Sequence, residues 1–140
     1  MKKVTLLLLF VVTSLLSCKK DEAERNTDKL IGKWTVESVA EVNYENGVEK
    51  KRQQINAQNQ TNICDFRNNG TATLNLDGGE VEVKWVAVDN RLQVTPERGS
   101  DVYFNIKSLT RNELVLELED DVDVENGITY RETLEWKMRK

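Results

Sequence analysis

From Lys33 to Met138 apolar side chains recur at every second position in short runs, and each run is cut off by turn residues. Period two is the repeat of a β-strand with one buried face. The first run, Lys33 to Tyr44, places Trp34, Val36, Ser38, Ala40, Val42 and Tyr44 on one side. Later runs set Cys64 and Phe66 together, then Ala72, Leu74 and Leu76, then Val81, Val83, Trp85 and Ala87, then Leu92 and Val94. The last three align Val102, Phe104 and Ile106, then Leu114, Leu116 and Leu118, and finally Tyr130, Glu132, Leu134, Trp136 and Met138. Between them lie Asn46-Gly47, Asn68-Asn69-Gly70, Asp77-Gly78-Gly79, Asp89-Asn90 and Thr110-Arg111-Asn112, sequences that tolerate the backbone of tight turns.

Eight amphipathic strands joined mostly by short turns must lie beside their sequence neighbours, because a tight turn cannot reach across a sheet. Such a meander buries its apolar face and removes its open edges by closing on itself. The expected fold is all-β, an eight-stranded up-and-down antiparallel β-barrel over residues 30–140, with a β-sandwich as the alternative. Val48 to Asn62, rich in Gln and Asn and lacking alternation, is expected to be a long loop gating the mouth. The acidic stretch Asp120 to Gly127 is expected to be a second loop; its carboxylates suit calcium chemically, but Gly127 falls one position late for a calcium-loop pattern.

Ahead of the strands stands a different kind of sequence. Met1-Lys2-Lys3 followed by the apolar run Val4 to Leu16 has the layout of a secretory signal, too short to span a bilayer comfortably. It ends in Leu15-Leu16-Ser17-Cys18, which resembles the bacterial lipobox, and the resemblance implies cleavage after residue 17 and lipid attachment at Cys18. Two or more acyl chains would hold the protein stably at a membrane. Residues 18–29 read as a polar tether, and Lys19-Lys20-Asp21-Glu22 resembles the tether that exports lipoproteins to the cell surface in Bacteroidetes. The implied location is the outer membrane, on its periplasmic or cell-surface face.

Without residues 1–17 the chain carries 18 basic and 24 acidic residues, a net charge of −6, which argues against a nucleic-acid partner. Histidine is absent, removing the usual general base and the commonest metal ligand. An enzyme, a cofactor and a metal site are therefore not expected. Cys64 alone remains after Cys18, so no internal disulfide can form and stability must come from the core.

Gly32-Lys33-Trp34, opening a meander of eight strands, resembles the G-x-W signature of the lipocalins, and the domain is most similar to small lipocalin-like domains of Bacteroidetes lipoproteins. The resemblance implies that Trp34 closes the narrow end of the barrel and that an arginine of the last strand packs across it, Arg139 by position with Arg131 as the alternative. It also implies a small hydrophobic or amphipathic ligand held by a monomer. On the residues, the inward aromatic and aliphatic set Tyr44, Trp85, Phe104, Leu116, Tyr130 and Trp136, with Glu132 as a polar orienting group, suits such a guest. The same residues would equally well fill a closed core, since a barrel of this size either packs solid or holds one small ligand. The rival function is then a non-enzymatic envelope scaffold or protein-interaction module.

Overall fold

The computed structural model describes residues 26–55, 62–76 and 79–140. The leader, Cys18 and most of the tether lie outside them, although residues 26–30, where the tether meets the domain, are helical. Nine strands follow: β1 (Gly32–Glu45), β2 (Val48–Ile55), β3 (Ile63–Phe66), β4 (Thr71–Leu76), β5 (Gly79–Val88), β6 (Arg91–Pro96), β7 (Val102–Leu109), β8 (Glu113–Glu125) and β9 (Ile128–Arg139). They form one antiparallel sheet in which β1 also pairs with β9, so the sheet closes into a ring.

The ring itself contains eight strands. β2 and β3 both pair with the same edge of β1, through Val39 to Glu45 and through Gly32 to Thr35 respectively, so together they act as one interrupted second strand. Here the expectation of a loop from Val48 to Asn62 is corrected. Residues 48–55 form a strand, paired to β1 through a hairpin whose Asn46 and Gly47 both have positive φ (49° and 79°), and residues 56–61 lie outside the described set. Every residue of β2 is exposed, so neither face had to be apolar and no alternation marked it. The acidic stretch is likewise strand rather than loop: β8 runs to Glu125, and only Asn126-Gly127 turn, with φ of 52° and 79°. Past the register shift at Asp120, Asp121, Asp123 and Glu125 follow one another along one face of an extended strand instead of wrapping round a loop.

Inside the ring, Trp34, Phe66, Ala72, Trp85, Leu92, Ile106, Leu114, Leu116 and Met138 belong to one buried core. The narrow end is sealed by Trp34, which is completely buried and donates from Nε1 to the carbonyl of Leu30 at 2.7 Å. Full burial of side chains of this size is worth about 1.5–3 kcal/mol each. The expected cap of Arg139 is corrected: Arg139 pairs with Glu37 at 3.0 Å at the surface, while Lys140 Nζ lies 4.6 Å from the centroid of the Trp34 ring. Lys140 also donates to the carbonyls of Lys29 (2.8 Å) and Ile31 (2.6 Å), tying the chain's last residue to the helical entry. Gly32 lets it do so. Its φ is +125°, and a Cβ there would stand 3.0 Å from Lys140 Cε.

The ring is not of even height. Beyond the level of Leu134, the upper parts of β8, β9 and β1, with β2, continue as a four-stranded wing past the strands on the other side. Entry into this wing follows a β-bulge at Glu37, where the register with β9 shifts between Val36 and Ser38.

Candidate functional site

That bulge decides which residues face the interior. Below it Val36 pairs with Met138, and both point inward; above it Val39 pairs with Trp136, so Val39, Glu41 and Asn43 share the interior face. One extra residue reverses the alternation of everything after it. Ala40, Val42 and Tyr44 therefore lie on the outer face, where they form a small cluster separate from the main core. Tyr44 is thus removed from the expected inward set.

Among the described residues the interior holds a wholly apolar cavity of about 110 Å³. Its walls include Leu74 and Leu76 of β4, Val102 and Phe104 of β7, Leu116 of β8 and Trp136 of β9. Trp136 meets Phe104 edge-on with ring centroids 6.1 Å apart. Three expected residues, Phe104, Leu116 and Trp136, therefore meet at this cavity. Trp85 does not join them: it is buried in the core, its Nε1 donates to the carbonyl of Thr71 at 2.9 Å, and its ring stands edge-on to Phe66 at 5.4 Å. Cys64 also lines the cavity, and burial pushes its thiol up to about 12, so it behaves as a small hydrophobe.

Further out along β9, Tyr130 and Glu132 line a polar cleft of about 240 Å³ with Glu45, Asp121 and Asp123 and the cations Lys50 and Arg131, and Tyr44 borders it too. Glu132 is half-buried where it lines this cleft. The two remaining expected residues thus stand at the mouth. Between cavity and cleft the interior face changes from aliphatic to acidic within the few residues from Trp136 to Glu132.

Sequence reasoning missed a charged network on the outer face of the same wall. Glu117, only 5% exposed, accepts from Lys107 Nζ at 3.0 Å and Arg131 at 3.2 Å, with Tyr44 Oη at 3.4 Å. Lys107 also reaches Glu135 at 3.3 Å, and Arg52 of β2 reaches Glu135 at 2.6 Å and Glu49 at 2.9 Å. The Arg131 guanidinium lies 4.4 Å from the centroid of Tyr44. Burial works against the charge of Glu117, but the hydrogen bond and charge of Lys107 and the charge of Arg131 outweigh it and hold the carboxyl below its usual range. The same balance lowers Glu135, whose hydrogen-bond partners are Arg52 and Lys107. Beneath these groups Val42 and Thr133 are fully buried. The network fastens β2, β7, β8, β9 and β1 to one another where the wing leaves the ring.

A closed antiparallel ring, plugged at one end by a tryptophan and enclosing an apolar cavity, defines a lipocalin-type binding barrel. A family model for the lipocalin-like domain matches residues 30–116, well over half of the chain, and the chain belongs to that family. The match takes in β1 to β7 and the first residues of β8, ending before the wing portions of β8 and β9. No curated protein and no solved structure matches the chain.

Proposed function

We propose that this protein is a lipid-anchored, extracytoplasmic binding protein that takes a small apolar group into its barrel. The observation that carries the reading is the cavity walled by Phe104, Leu116 and Trp136, which offers no polar surface to a guest. At about 110 Å³ it accommodates one aromatic ring or a short branched chain, well below the roughly 300–1,000 Å³ that encloses a drug-sized ligand. A larger amphipathic ligand would leave its polar part at the charged cleft by Tyr130 and Glu132, which Lys50 and Arg131 also line. Anchoring rests on the lipobox resemblance at Cys18, and an outer-membrane location on the tether that follows it. Nothing in the residue set suggests catalysis, since histidine is absent and Cys64 is held as a buried thiol.

The binding test is extraction of the purified protein with organic solvent and mass spectrometry of the extract, followed by tryptophan-fluorescence titration with the small apolar compounds found. Leu116→Phe, which fills the cavity, should abolish the titration while leaving thermal unfolding cooperative. No specific extract and no fluorescence response to a panel of small aromatics and short acyl compounds would refute it. That outcome would favour the scaffold reading, which the modest cavity volume also supports. Metabolic labelling with a fatty acid, lost in Cys18→Ser, tests the anchor separately.

A further inference from the structure

The wing has two edges to which no described strand pairs. On one side is β2; on the other is the upper part of β8, because β7 pairs with β8 only up to Glu117. Unpaired edges expose a row of backbone donors and acceptors that another chain can complete. Both carry exposed β-branched residues: Val48 and Ile55 are 59% and 44% exposed, Val122 and Val124 48% and 64%. Their charges are opposite. β2 carries Lys50, Lys51 and Arg52, while β8 beyond Leu118 carries Glu119, Asp120, Asp121, Asp123 and Glu125.

We propose that the wing is a self-association surface, in which the basic edge of β2 on one copy adds to the acidic edge of β8 on the next copy to extend a single antiparallel sheet. The strand directions allow it. β8, β9, β1 and β2 alternate, so β8 and β2 run oppositely, and a second copy shifted sideways along the sheet presents its β8 antiparallel to β2.

The rungs of the wing then supply charge matching without any shift in register. One rung reads Asp121, Glu132, Asn43, Lys51 across the four strands, and the copy alongside brings its Asp121 next to Lys51. Another reads Glu119, Thr133, Val42, Arg52 and brings Glu119 next to Arg52. Lys51 and Asp121 share the interior face of the wing, whereas Arg52 and Glu119 share its outer face, so each pair meets on the same side. Lys51 and Asp121 have no ion-pair partner among the described residues, leaving both charges available. Symmetric pairing of β2 with β2 or β8 with β8 would instead place like charges opposite one another, which is destabilising. The contact is therefore head-to-tail, and it builds rows of copies rather than a closed two-fold dimer.

Sedimentation velocity on the purified protein over a range of concentrations tests this. The wild type should associate at low salt, and association should weaken on raising salt to roughly 0.5 M, where charges at this spacing are screened. Lys51→Glu and Asp121→Lys, both at exposed positions, should each weaken association roughly tenfold or more, with unchanged circular dichroism. Mixing the two variants, or combining both changes in one chain, should restore it, because every contact then pairs opposite charges again. A wild type that stays monomeric at low salt, association indifferent to either reversal, or failure of the mixture to recover would each overturn the proposal.

Discussion

Gly32→Ala should destabilise the barrel through two separable effects. The backbone at Gly32 sits at φ +125°, where a side chain costs about 1–3 kcal/mol. The added Cβ would also meet Lys140 Cε at 3.0 Å, forcing a flexible side chain off the face of Trp34. Displacing that ammonium gives up a cation–π contact worth about 0.5–2 kcal/mol according to its desolvation. The sum is roughly 1.5–5 kcal/mol, or about 6–20 °C in Tm for a domain of this size. A double-mutant cycle with Lys140→Ala, read by thermal unfolding, separates the parts. In the Lys140→Ala background only the backbone cost remains, so the two changes should couple by roughly 1 kcal/mol. Arg139→Ala should shift stability by no more than about 0.5 kcal/mol, since its partner Glu37 is at the surface. An equal cost of Gly32→Ala in both backgrounds, or a large cost for Arg139→Ala, would refute the reasoning and return the cap to Arg139.

Glu117→Gln should cost about 1–3 kcal/mol near neutral pH, less than the roughly 3–5 kcal/mol of a fully broken buried pair because Lys107 and Arg131 keep Glu135 and Glu119 as partners. The native carboxyl of Glu117 is held below its unfolded range, so its contribution is present above about pH 4.5 and lost as pH falls through the lowered native value; urea titrations between pH 7 and 3 should show a shallower loss in Glu117→Gln than in wild type. With its pKa pushed up to about 12, the Cys64 thiol should be about one part in ten thousand ionised at pH 8 and should resist a thiol reagent until the protein is unfolded in denaturant. Deleting Glu37 should leave a folded, cooperative protein at a cost of roughly 1–3 kcal/mol, because it removes the bulge while keeping Val39 inward and Tyr44 outward. Loss of folding in that deletion would show that the face assignment above the bulge is wrong.

Much of the ring was legible because its strands bury one face only. Leu92 and Val94, or Leu116 and Leu118, alternate with polar residues, and their turns carry the residues that tight connections require. Trp34 was legible as the plug because it opens the first strand directly after Gly32. Three things were hidden for physical reasons. β2 has no buried face, so it carried no period at all. Lys140 takes the place expected of Arg139 because Arg139, one residue after the inward Met138, falls on the outer face and pairs with Glu37, whereas Lys140 returns to the side of Met138 and folds back over Trp34. Trp85 and Phe104 look alike in sequence, yet only Phe104 borders the cavity, because Trp85 lies deep enough for Phe66 to cover it.

The reversal of Tyr44 did leave a trace in the sequence. Val36-Glu37-Ser38-Val39 and Ile106-Lys107-Ser108-Leu109 share one pattern, two apolar residues three apart around a charge and a serine, and a β-bulge falls at the charged residue in both. The spacing of three is the signal, since regular alternation would separate two residues on the same face by an even number. A bulged residue leaves the ladder and need not point into either packed face, so a charge is tolerated there. The register shifts at Lys50 and Asp120 also fall on charged residues. In β7 the consequence is direct: Lys107, released from the alternation, reaches Glu117, Glu135 and Tyr44 together. Two breaks of the same kind thus act on one network, the bulge at Glu37 turning Tyr44 outward and the bulge at Lys107 lying where the lysine meets it, and apolar pairs spaced by three in an otherwise period-two strand mark where this barrel wall turns over.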